Sequence, residues 1–119
     1  MEINPTSGGN IMTDVTTEGG TLISATPATI ASLSLSATKG TDPTESMVYC
    51  WLYDLSEVPD DLTRIEPVFG CFIDTLLKSP ASLEVPLTDL PADQTDFQNG
   101  VVLELLKGSN TVTATITTS

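Results

Sequence analysis

The sequence predicts an all-β protein, one antiparallel β-sandwich, and three observations predict it. Apolar and polar residues alternate with period two in several short runs, the mark of strands with one buried face. Turn-forming residues recur at roughly ten-residue intervals, the spacing of sandwiches and small barrels. Thr and Ser fill positions where a helical protein would carry Glu, Lys and Gln. No long segment shows a helical period, and no internal repeat is present.

Residues 1–19 read as an N-terminal arm, followed by one sandwich domain over 20–119. The arm is rich in Gly, Thr, Ser and Asn, and its apolar residues Ile3, Ile11, Met12 and Val15 follow no period. Such a segment is either flexible or docked on a neighbour. Gly19-Gly20 punctuates its end. Thr21–Ala25 reads as a short strand that stops at Thr26-Pro27. In the stretch Ile30–Thr38, Ala31, Leu33, Leu35 and Ala37 face one way and Ser32, Ser34 and Ser36 the other. Lys39–Glu45 has the composition of a turn. Met47–Tyr53 is a strand, and residues 54–67 are an acidic loop with room for one helical turn. Val68–Leu77 is apolar but interrupted by Gly70, which predicts a bulge or a strand and turn. Ala81–Leu87 alternates again, and Pro86 moves it toward an edge. Residues 88–100 are polar and end in Asn99-Gly100, a turn signal. Val101–Lys107 and Asn110–Thr118 read as a terminal hairpin around Gly108-Ser109.

A chain of 119 residues is normally one domain with a core of its own. Mean hydropathy is +0.13, so the acidity is not that of a disordered tail. Sixteen Asp and Glu face four Lys and Arg, for a net charge of -12. Nucleic-acid binding needs cations to displace counterions. The charge therefore argues against nucleic acid and anionic membranes as partners, and it favours solubility. No apolar run approaches the roughly 18 residues of a membrane span. The first ten residues have neither the basic start nor the apolar segment of a signal peptide. Cys50 and Cys71 both lie in apolar, strand-like runs and are expected to be reduced and buried; their spacing alone neither requires nor forbids a disulfide.

The residues with the strongest claim to function are Tyr49, Trp51 and Tyr53. They include the only tryptophan and both tyrosines of the chain. On one strand they form an aromatic stripe, backed by Val48, Cys50 and Leu52. The stripe is either core or an exposed interaction patch, and a split, with Trp51 buried and Tyr49 or Tyr53 at an edge, is a third outcome; Tyr and Trp are enriched in binding hot spots. Asp54, Glu57, Asp60, Asp61 and Glu66, and in the later loop Asp89, Asp93 and Asp96, offer oxygens for calcium. Neither set has EF-hand spacing, so Asp93 and Asp96 remain weak candidates and no cofactor is expected. Asp60-Asp61 and Asp89 also suit the capping of short helical turns. With no histidine, triads built on His are excluded. Phe72-Ile73-Asp74-Thr75 lacks the glycine of an aspartic-protease motif, since Leu76 follows, and no enzymatic activity is expected.

The closing segment Gly108-Ser109-Asn110-Thr111-Val112-Thr113-Ala114-Thr115-Ile116-Thr117 resembles the final strand of bacterial and phage Ig-like domains, and Ile30–Gly40 is similar to one of their early strands. The resemblance implies an Ig-like sandwich. In its acidity, Thr content and Gly-rich arm, the chain also resembles phage virion proteins that decorate or cement capsids. That likeness implies a non-enzymatic structural protein on the virion surface. Its partners would be capsid subunits or copies of itself as a homo-oligomer, held by the arm and an apolar patch. The alternative is an extracellular carbohydrate-binding module that uses the aromatic stripe.

Overall fold

The computed structural model describes residues 11–86, 88 and 96–119. Strands account for most of them and build two antiparallel sheets. In the first sheet the order is β1 (Ile11–Val15), β9 (Thr111–Thr118), β3 (Ala28–Thr38) and β6 (Ala81–Val85); the two-residue β7 (Asp96–Phe97) pairs with the start of β3. In the second the order is β2 (Gly19–Ser24), β8 (Val101–Leu106), β4 (Met47–Tyr53) and β5 (Phe69–Asp74). One turn of 3-10 helix, Leu62–Arg64, lies in the loop between β4 and β5.

The predicted sandwich is therefore present, with a strand order that differs from the Ig-like one. In the immunoglobulin arrangement the last two strands are neighbours in one sheet. Here β8 is central to the second sheet and β9 central to the first. With the two-residue β7 set aside, two four-stranded antiparallel sheets in this order make a jelly roll. The terminal hairpin is corrected by the same fact: the segment around Gly108, at φ +59°, carries the chain from one sheet to the other. A glycine turn serves a crossover as well as a hairpin. The choice is made by the flanking strands, each of which buries its own inner row.

That inner row follows the period-two pattern. Leu33, Leu35 and Ala37 of β3 and Val112, Ala114 and Ile116 of β9 meet Val48, Cys50 and Leu52 of β4 and Val101, Leu103 and Leu105 of β8 in one core. Burial of the Val, Leu and Ile side chains among them stabilises by about 1.5–3 kcal/mol each. One register shift alters the expected alternation. Between Ile30 and Ser32 the β3–β9 ladder slips, so Ile30 turns into the core and Ala31 does not.

The arm is also redrawn. Residues 11–15 form β1, an edge strand whose ladder runs from Ile11 opposite Thr118 to Val15 opposite Ala114. The partner strand is distant in sequence, so local pattern gave no sign of it. Residues 1–10 lie outside the described residues.

The crossover end of the sandwich is closed by Asn110, which is buried. Its side-chain amide donates to the carbonyls of Glu45 (2.6 Å) and Lys107 (2.7 Å). Its carbonyl oxygen accepts from the backbone N–H of Gly40 (3.1 Å) and the hydroxyl of Thr75 (3.1 Å). Two donors and two acceptors exhaust what a primary amide offers. Gly40 is required beside it, because a Cβ there would collide with the Ser109 carbonyl oxygen.

Candidate functional site: the aromatic face of the second sheet

The aromatic stripe points away from the core, on the outer face of the second sheet, and its three members differ in exposure. Tyr53 is only 1% exposed and packs with Leu62 and Val102 in a second, smaller hydrophobic cluster. Trp51 is half-buried at the rim of that cluster, with Leu55 and Ile65. Tyr49 is 37% exposed. The gradient has one cause. The loop after β4 folds back over the sheet and covers the Tyr53 end, leaving the Tyr49 end open. The structure thus splits the stripe between core and surface, but its buried member is Tyr53 and not Trp51.

The loop is anchored through its acidic residues. The Asp54 carboxylate accepts backbone N–H groups from Gln98 (3.0 Å), Asn99 (2.8 Å) and Gly100 (3.4 Å). Burial works to raise its pKa, but these bonds prevail and hold it below the ordinary aspartate value. Asp61 caps the 3-10 turn by accepting from the Thr63 backbone N–H (3.0 Å), and Arg64 lies 3.5 Å from its carboxylate. A close approach seats the loop on the sheet as well: a Cβ on Gly20 would meet Leu62 and Val58 at 3.0 Å.

At the open end, Phe72 of β5 stands directly opposite Tyr49 and is 61% exposed. The Tyr49 and Phe72 ring centroids are 6.4 Å apart, and the Tyr49 and Trp51 rings meet edge to face at 6.1 Å and 68°. Leu106 of β8, half-buried, flanks Tyr49 on its other side. The Trp51 indole lies over Gly70, where a Cβ would come within 3.0 Å of its ring. Phe72, Tyr49 and Trp51 thus form one contiguous aromatic surface. Beyond β5 the turn at Asp74 presents Leu76 and Leu77 to solvent, and Asp74 itself accepts the Leu76 N–H at the strand end.

One carboxylate sits within this surface. Glu104 of β8 is directly opposite Trp51, and its Oε1 accepts the Tyr53 hydroxyl at 2.7 Å. Burial, then the bond and the negative charge of Glu104, raise the Tyr53 phenol above its ordinary pKa.

The remaining predicted residues are dispersed. Ile11 and Met12 are exposed on β1, whereas Val15 is 3% exposed and belongs to the core, so it is not available for docking. Ile3 and Asp93 lie outside the described residues. Asp96 is on β7, where its Oδ1 accepts the Thr29 hydroxyl at 2.7 Å. Among the described residues no group of three or more His, Cys, Asp or Glu comes together to hold a metal ion. An open groove of about 590 Å³ holds two carboxylates, Glu18 and Glu45. Both accept backbone N–H groups of the crossover turn, Glu18 from Lys107 and Gly108 and Glu45 from Ser109.

Sequence reasoning missed Phe72, Leu106 and Glu104. Phe69, Cys71 and Ile73 face inward and Phe72 outward in simple alternation, a pattern that Gly70 masks by suggesting a bulge. Comparison with protein-family models, with curated proteins and with solved structures finds no match for this chain.

Proposed function

We propose that this chain is a non-enzymatic attachment protein that docks on a larger protein assembly through the aromatic face of its second sheet, as a decoration or cement protein docks on a phage capsid. The observation that carries the reading is the contiguous surface of Phe72, Tyr49 and Trp51. Aromatic side chains of this kind supply the anchors of protein interfaces, and exposed apolar patches mark interaction sites. The partner surface is an apolar pocket with a basic rim, because Glu104 lies within the patch and the chain carries a net charge of -12. Ile11 and Met12, on the lip of the other sheet, offer a second point of contact. A stable interface of this kind usually buries more than about 1,000 Å². The same charge disfavours nucleic acid and anionic membranes and limits association between copies. The virion surface is the place where such a protein would act.

The test is co-sedimentation with purified virus particles from the chain's source. The wild-type chain is expected at a fixed stoichiometry, and Phe72→Glu is expected to be lost from particles while keeping its melting temperature. Particles without the chain, or with undiminished Phe72→Glu, would overturn the reading.

The second reading is an extracellular carbohydrate-binding module. The pairing of Trp51 with the Glu104 carboxylate favours it, since sugar sites combine an aromatic platform with hydrogen-bond acceptors. Glycan-array binding that disappears in Trp51→Ala would select it over the first.

A further inference from the structure

Cys50 and Cys71 are directly opposite each other on β4 and β5, and both thiols are free. Both side chains face inward: Cys50 is a fully buried member of the core and Cys71 packs against it half-buried. Opposed residues of an antiparallel pair have Cα atoms about 4.5–5.5 Å apart. A disulfide spans Cα separations of about 4.4–6.8 Å. The bond therefore requires little backbone movement.

The two thiols differ in a way that assigns their roles. Cys71 is on β5, an edge strand of its sheet among the described residues, and a reagent can approach it from that side. Cys50 has no exposed surface. The hydrogen bond between them lowers the Cys71 pKa and raises that of Cys50, and burial raises Cys50 further. Cys71 is the thiol that meets solvent and gives up its proton the more readily of the two; Cys50 is held in place behind it.

We propose that Cys50 and Cys71 are a reversible dithiol–disulfide site, oxidised by a small-molecule disulfide such as glutathione disulfide. The Cys71 thiolate attacks one sulfur of the oxidant. The oxidant's S–S bond breaks, a mixed disulfide forms on Cys71, and the first glutathione leaves as thiolate and takes up a proton. Cys50 then attacks the Cys71 sulfur, and its proton passes to the departing glutathione sulfur. The second glutathione leaves, and the Cys50–Cys71 bond remains. Two protein thiols are oxidised and one glutathione disulfide is reduced to two thiols. The new bond staples β5 to β4 and closes a covalent ring around the loop that covers Tyr53. An assembly that matures in a reducing cell and then meets an oxidising exterior would form the bond after release. That consequence rests on the proposed function; the chemistry does not.

The test treats the folded full-length protein with glutathione disulfide, followed by intact mass and peptide mapping. Expected are a loss of about 2 Da, corresponding to two hydrogens, a Cys50–Cys71 linked peptide, a higher melting temperature and full reversal by dithiothreitol. Cys50→Ala is expected to stop as a single glutathione adduct on Cys71. Cys71→Ser is expected to remain unmodified under native conditions. Two thiols still free after treatment, a disulfide only between chains, or an adduct on Cys50 in Cys71→Ser would overturn the proposal. None of these outcomes bears on particle attachment by Phe72, so the two readings fail separately.

Discussion

The two outer faces of the sandwich are built from the same kind of strand and could hardly differ more. Across the first sheet runs a polar ladder in which Asp14, Thr115, Ser34 and Glu84 stand side by side on four strands. The Thr115 hydroxyl donates to Asp14 at 2.8 Å, and Ser36 with Thr113 and Ser32 with Thr117 repeat the pattern. Across the second sheet the corresponding rows are Phe72, Tyr49 and Leu106, then Gly70, Trp51, Glu104 and Gly20. A face of small hydroxyls is satisfied by water and needs no cover. A face of aromatic rings is satisfied only where something lies on it, and the loop over Tyr53 covers one half. The difference separates a solvent face from an incompletely covered one without recourse to any single motif.

Removing the cover gives the largest expected effect. Leu62→Ala deletes the buried side chain that seats the loop on Tyr53 and Val102 and should destabilise by about 2–4 kcal/mol. Denaturant unfolding followed by Trp51 fluorescence measures it. A loss below about 0.5 kcal/mol, the scale of a surface change, would mean that the loop does not hold the face.

The next effect is on the polar handle of the covered half. Tyr53→Phe removes a hydrogen bond to a carboxylate and should cost about 1–2 kcal/mol. The folded protein raises the phenol pKa. Its contribution is therefore complete below the unfolded tyrosine value of about 10 and fades as pH climbs through the folded value. Wild type should lose stability more steeply than Tyr53→Phe above about pH 10. Parallel slopes in the two proteins would refute the linkage.

Gly70→Ala is smaller in energy and sharper in signal. The added methyl meets the indole at 3.0 Å, and the ring must turn outward. The net cost is expected to stay within about 1 kcal/mol, while the emission of Trp51 shifts to the red. An unchanged spectrum would show that the ring has another place to go inside the cluster.

The smallest effects sharpen the comparison itself. Ser34→Ala on the polar face and Phe72→Ser on the open half of the aromatic face should each change stability by no more than about 0.5 kcal/mol. Only Phe72→Ser should reduce binding of an apolar dye such as ANS. Equal dye binding by both variants would erase the distinction between the faces.

Much of this was legible in the residues. Met47–Tyr53, Leu33–Ala37 and Val112–Ile116 alternate with a period that only strands use, and the structure keeps them as strands. Asp61 announced its capping role by its place before a short helical turn. What was not legible depends on partners far along the chain. β1 exists because β9 offers an edge, and no local pattern in 11–15 records that. Phe97, inside a stretch that reads as polar, is 2% exposed because it pairs beside the start of β3. The half-covering of the stripe belongs to the same class: Tyr49 and Tyr53 are equivalent in sequence, and the loop alone distinguishes them.

The position of the last two strands has a consequence for how the molecule is made. β8 lies between β2 and β4, and β9 lies between β1 and β3, so each sheet receives a central member after its other described strands have been made. Until residues 101–118 have left the ribosome, β1 and β2 have no ladder to join and β3 and β4 each lack a neighbour. The nascent chain therefore has little to fold around, and assembly waits for residues 101–118. Pairings so distant in sequence are slow to form. A product cut short before Val101 would expose unpaired edges along both sheets, which makes it a substrate for chaperones and proteases and not a smaller version of the protein.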